Sequence, residues 1–171
     1  MTEQPLPYGE PSAPQPTSTY AEWGDRAVAT LWDIAYLWPT YVTMLVGVVL
    51  LALGIAGSND YETDGAATAM LVTGVVVIVV GYVWMIVRQI RNLVVRQGRT
   101  GQTWGKARTG LWVVNEMTGA APGWPSCLGR LFLHGLINQA VYIDYLWPLW
   151  DKPKQQTLTD KILTTVVVKR A

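Results

Sequence analysis

Two long apolar runs dominate the chain. From Asp33 to Gly57 it reads DIAYLWPTYVTMLVGVVLLALGIAG with no charge after Asp33, and from Gly65 to Val87 it reads GAATAMLVTGVVVIVVGYVWMIV with none at all. A helix needs about 20 apolar residues to cross about 30 Å of hydrocarbon, and both runs reach that length. The competing reading, two buried helices of a water-soluble core, requires a polar stripe that neither run carries. The pattern therefore predicts an integral membrane protein with two transmembrane helices at about 33–57 and 65–87.

A third apolar segment, Cys127–Trp150, has the length of a span but is interrupted by Arg130, His134, Asn138, Gln139 and Asp144. Charged groups at the bilayer centre cost roughly 2.5–3.5 kcal/mol each. Two paths stay open: a third span that turns Arg130, His134 and Asp144 toward the other helices, or a re-entrant or interfacial helical hairpin turning near Asn138–Gln139. The hairpin draws support from Leu111–Gly119 and Thr164–Arg170, both rich in β-branched residues. These pair in a sheet only if they share one side of the membrane. The expected fold is thus mainly α, with a small cytoplasmic β-element.

Residues 1–20, MTEQPLPYGEPSAPQPTSTY, lack the basic start and apolar stretch of a signal peptide and are rich in Pro, Ser, Thr and Gln. A disordered, Pro-rich tail is expected there. The membrane domain covers 22–170, with a basic loop at 88–126 and a strand-like segment at 164–170.

Charge adds orientation. The formal net charge over 171 residues is only +1, too little basic excess for a nucleic-acid partner. Its distribution is uneven: the connection between the runs holds Asp60, Glu62 and Asp64, whereas Arg88, Arg91, Arg96, Arg99, Lys106 and Arg108 follow the second run. The positive-inside rule then puts the N-terminus and the basic loop in the cytoplasm of a multi-pass inner-membrane protein. Cations from Arg88 to Arg108 would attract anionic lipid headgroups at about 1 kcal/mol each.

Candidate chemistry is sparse. Cys127 and His134 are the single cysteine and histidine, so neither a thiolate cluster nor a histidine zinc site is expected, and no cofactor. Ser126, His134 and Asp144 on one helix are too far apart for a triad, Ser and His lying about 12 Å apart along the axis. Thr100 and Ala107 occupy positions where a P-loop needs Gly and Ser or Thr. No enzyme is expected. Gly47 and Gly54 in the first run, and Gly74 and Gly81 in the second, sit seven apart on one helix face, as close helix packing requires.

Arg26 and Asp33 are also seven apart and share a face where the apolar run opens. Together with the loop GQTWGKARTGLWVV (Gly101, Thr103, Gly105, Lys106) and the closing QTLTDKILTTVVVKR with Asp160, they resemble the RDD family of small bacterial membrane proteins. That family is named for one arginine and two aspartates, matched here by Arg26, Asp33 and Asp160. Trp112 stands where an arginine is common in the family, and Lys161 and Thr165 where Arg and Gly are frequent. The resemblance implies one of two roles. In the first, Arg26, Asp33 and Asp160 form a charge network that organises the helices of an accessory subunit of a larger membrane system, which handles transport or lipid. In the second, the chain is a sodium or lithium/proton antiporter working as a homo-oligomer, with Asp33 as the carrier in an intramembrane ion path.

Overall fold

A computed structural model describes residues 19–58, 64–141 and 143–170, with the backbone alone at 140 and 141. The tail to residue 18 and the acidic Asp60 and Glu62 lie outside the described residues.

The first apolar run is not one helix. Helix α1 (Trp23–Ala35) ends three residues into it, Tyr36 and Leu37 form a turn, and α2 (Trp38–Gly57) begins with Pro39 in its first turn. Proline is favoured there because its missing N–H would have no intrahelical partner. Asp33 consequently lies on α1, and the span starts at Trp38, about one and a half turns later than the charge pattern implies. The apolar character of Ile34, Ala35 and Leu37 hid this break.

Helix α3 (Gly65–Ile90) returns antiparallel to α2, then runs through a π-helical segment (Arg91–Arg96) into α4 (Gln97–Thr100). Both α2 and α3 are long and apolar enough to cross a membrane. Their outer faces stay exposed, with Leu45 at 61%, Ile55 at 60% and Val72 at 59%. Water-soluble monomers rarely leave so large an apolar surface bare, which fits a pair of helices suited to a membrane.

The two helices meet along the four glycines. A side chain at Gly74 would come within 2.7 Å of the Leu51 backbone nitrogen, and one at Gly47 within 2.7 Å of Ile78. Gly54 faces Leu71 and Gly81 faces Met44 in the same way. Gly74→Val should therefore cost about 1–3 kcal/mol through overpacking and lower the melting temperature in detergent by several degrees. Gly24→Ala, with nothing within 4 Å, should leave it unchanged or raised.

Every other described element gathers at the α1 end of the hairpin. Helix α5 (Trp104–Arg108) docks on α1, and β2 (Leu111–Asn115) pairs antiparallel with β3 (Thr165–Lys169), matching Val113 with Val167. With β1 (Thr19–Tyr20), the sheet order is β1-β3-β2. Thr19–Tyr20, expected in the tail, form β1 on the other edge of β3. Two residues are too short a run to be read as a strand. Ala21, Ala29, Leu111, Val113 and Val167 form the core between sheet and α1.

Helix α6 (Gly123–Val141) is continuous through Asn138 and Gln139, so the hairpin does not turn there. Asn138 Nδ2 donates instead to the His134 carbonyl one turn back (2.8 Å), while its buried Oδ1 has no hydrogen-bond partner among the described residues. Among the described residues only α2 and α3 meet the length and hydropathy of a span. Helix α6 packs on the π segment and α4, Gly98 lying against Trp124, and leaves Leu128, Phe132 and Leu136 exposed. After it come α7 (Ile143–Leu146), a 3-10 turn (Trp147–Leu149) and α8 (Leu158–Ile162).

Candidate functional site

The polar layer is built from short helix starts that recruit distant carboxylates. At α5, Thr103 is the N-cap and accepts from the Lys106 amide at 3.1 Å. Gly101 makes the preceding turn: its φ of +75° suits glycine, and a side chain there would approach the Val113 carbonyl oxygen at 2.8 Å. Asp33, half-buried on α1, then reaches this helix start. Its Oδ1 accepts from the Gly105 amide (2.8 Å) and from Asn92 Nδ2 (2.8 Å), and its Oδ2 from the Thr103 hydroxyl (2.6 Å). Asn92, on the π segment, accepts in turn from the Trp104 amide at 2.8 Å. One carboxylate thus ties α1 to α5 and to the continuation of α3.

Asp160 does the same at α8. Thr157 and Asp160 form a capping box, the Thr157 hydroxyl accepting from the Asp160 amide (2.9 Å) and the Asp160 carboxylate facing the Thr157 amide. The same carboxylate, fully buried, pairs with Arg26 at 3.2 Å and with Arg130 of α6, and accepts from the Thr165 hydroxyl at 2.9 Å. Burial pushes the Asp160 carboxyl up, but Arg130 and then Arg26 more than reverse this and hold it below the usual carboxylate range. Burial also lowers the Arg26 guanidinium, which Asp160 partly restores.

The three residues that carry the family resemblance therefore fall into two sets. Arg26 and Asp160 pair directly, whereas Asp33 is held by neutral donors and does not join them. Arg130 takes the third place, a role invisible in sequence because 30 residues separate it from Asp160. Asn92, Thr157, Thr159 and Thr165 were missed as well. The Thr157-x-x-Asp160 spacing is a capping signature and was the one available signal. Asp144 is buried on α7, accepts from the Thr159 amide (2.9 Å) and hydroxyl (2.8 Å), and faces His134, whose ring stacks on Tyr145 at 5.2 Å. Burial raises the Asp144 carboxyl, and His134 and Thr159 bring it below its ordinary value.

Between α1, the π segment, α5 and α6 lies a cleft of about 340 Å³, lined by Asp33, Gln97, Lys106, Arg130, His134 and Tyr145. Lys106 is pushed down to about 8, first by burial and then by Arg130. Its ammonium has one polar partner among the described residues, Gln97 Oε1 at 3.4 Å. At the α1 end of the α2–α3 pair, Arg88 donates to the Tyr36 carbonyl (2.7 Å), left free by the break before α2, and lies 4.1 Å over the Tyr36 ring. Arg108 sits between Trp32 and Trp104 at 4.8 and 4.2 Å. Such an arginine and aromatic layer fits the headgroup level of a bilayer.

The sequence profile of the RDD family matches residues 20–164. The chain belongs to the RDD family. This RDD chain is 30% identical over 160 residues to the proline-rich antigen homolog of Mycobacterium tuberculosis, covering 90% of itself and 65% of that relative. It is also 30% identical over 159 residues to the proline-rich antigen of Mycobacterium leprae, covering 88% of itself and 61% of that protein. The chain thus spans less than two thirds of the length of these relatives. No solved structure matches it.

Proposed function

We propose that this RDD protein is a non-catalytic accessory or interaction subunit of a larger membrane system, with its two aspartates acting as internal latches. The occupancy of those carboxylates supports this reading. Asp33 accepts three short hydrogen bonds from neutral groups, and Asp160 is clamped by two guanidiniums and a hydroxyl. A carrier must release its partners at every cycle; these partners instead join α1, α5, α6 and α8 to one another. Placing the sheet and polar layer in the cytoplasm of the inner membrane agrees with the exposed Arg91, Arg96 and Arg99, which can meet anionic headgroups.

A second reading, a sodium or lithium/proton antiporter acting as a homo-oligomer, draws on one observation: Asp33 and Lys106 line the same cleft. Affinity capture of tagged protein from native membranes separates the two. Wild type should bring down a companion in near-equal amount. Asp33→Asn, which keeps shape but weakens the hydrogen bonds by about 1–3 kcal/mol, should lower its abundance or detach that companion. Recovery of the protein only with copies of itself contradicts the accessory role.

A further inference from the structure

Lys106 is the cation of the polar layer that lacks a carboxylate among the described residues. Asp33, its nearest anion in the cleft, already takes three donors, and Asp160 is shared by Arg26 and Arg130. The ammonium therefore faces the cleft together with Arg130 and His134, with only the 3.4 Å contact to Gln97 to satisfy it. A desolvated, unpaired lysine is costly, and a bound anion would remove that cost.

The second feature lies next door. A mainly apolar groove of about 330 Å³ runs along α6 between Leu128, Leu131, Phe132, Gly135 and Leu136, with Gln139 also in its lining. Leu131 forms a wall of both cavities. A polar pocket with an unpaired cation thus opens beside a hydrocarbon-lined trough, at the end of the protein where the membrane hairpin emerges. Free phosphate would fill the first and leave the second bare. An amphiphile fills both.

We propose that this pair of cavities is a binding site for one anionic phospholipid, its phosphate against Lys106, Arg130 and His134 and an acyl chain along Leu128, Phe132 and Leu136 of α6. The site differs from general attraction of headgroups to the basic loop, because its polar half is a cleft around the half-buried Lys106 and does not depend on the exposed arginines. It goes beyond the accessory role and holds whether or not a partner subunit exists. The depressed proton affinity of Lys106 accords with an ammonium waiting for its counter-ion.

The test uses the full chain purified in a non-ionic detergent, with thermal shift read against added dihexanoyl phosphatidylglycerol, dihexanoyl phosphatidylcholine or inorganic phosphate. The anionic lipid should raise the melting temperature saturably, with at least tenfold higher affinity than the zwitterionic lipid or phosphate. Lys106→Gln, which removes a half-buried charge and should fold, is expected to weaken phosphatidylglycerol about tenfold. Phe132→Ser, at an exposed position, should weaken the lipid but not phosphate. Arg99→Gln, on the exposed surface, should change neither. Equal affinity for the two lipids, or an unchanged response in Lys106→Gln, overturns the proposal. Phosphate binding as tightly as phosphatidylglycerol would overturn the lipid as occupant and leave a simple anion pocket.

Discussion

Asp160→Asn is expected to cost about 3–5 kcal/mol, because it leaves the Arg26 and Arg130 guanidiniums buried without their common counter-charge. Against the 5–15 kcal/mol that holds an ordinary domain together, that loss should show as poor yield and a melting temperature lower by about 10 °C. Arg130→Met added to Asp160→Asn removes one of the two orphaned cations. The double variant should therefore melt above the sum of the single effects, a coupling that independent sites do not show. Acid should act in the same direction. A carboxylate whose folded pKa is depressed contributes stability that is present above its unfolded value of about 4 and lost as pH falls through the folded one. Wild type should thus lose stability below about pH 4, and Asp160→Asn should lose less over that window.

Gly105→Ala should be nearly as damaging for a different reason. A side chain there would overlap the Ala29 carbonyl oxygen and come within 2.8 Å of the Asp33 backbone nitrogen, so α1 must move off α5. Because the Gly105 amide donates to Asp33, that shift also stretches the carboxylate's hydrogen bonds. Overpacking of about 1–3 kcal/mol and an unsatisfied group at a further 1–3 kcal/mol add to a loss of about 3 kcal/mol or more. Gly135→Ala, which meets nothing within 4 Å, is the control and should melt as wild type does. Differential scanning fluorimetry of the three proteins in one detergent reads the difference.

These effects explain why parts of the fold were legible in sequence and others were not. The glycine spacing of Gly47, Gly54, Gly74 and Gly81 is a local, periodic signal, and a helix turns that period directly into one packed face. The strands at Leu111–Asn115 and Thr165–Lys169 were readable because β-branched residues cluster there. The start of α2 was not, since apolar residues run without interruption from the end of α1 into the membrane. Asp33 looked like the mouth of a span for that reason. Its partners Asn92, Thr103 and Gly105 lie 59 to 72 residues away, and no periodicity connects them. The sequence leaves Arg130 and His134 either facing the other helices of a third span or within a hairpin turning near Asn138–Gln139; they are the inward face of α6, whose exposed face is Leu128, Phe132 and Leu136. Polar residues in an apolar segment reveal which side is inside only once the neighbouring carboxylates are in place.

In the proposed role, Asp33 and Asp160 lock the polar layer together and do not carry ions. The most direct test of that role is proton flux in proteoliposomes holding the purified chain and a pH-sensitive dye, driven by an imposed sodium or lithium gradient, with thermal melting measured on the same preparations. The expected result is flux no greater than in protein-free vesicles, and a lowered melting temperature for Asp33→Asn. Cation-driven flux that Asp33→Asn abolishes while melting at the wild-type temperature would contradict it.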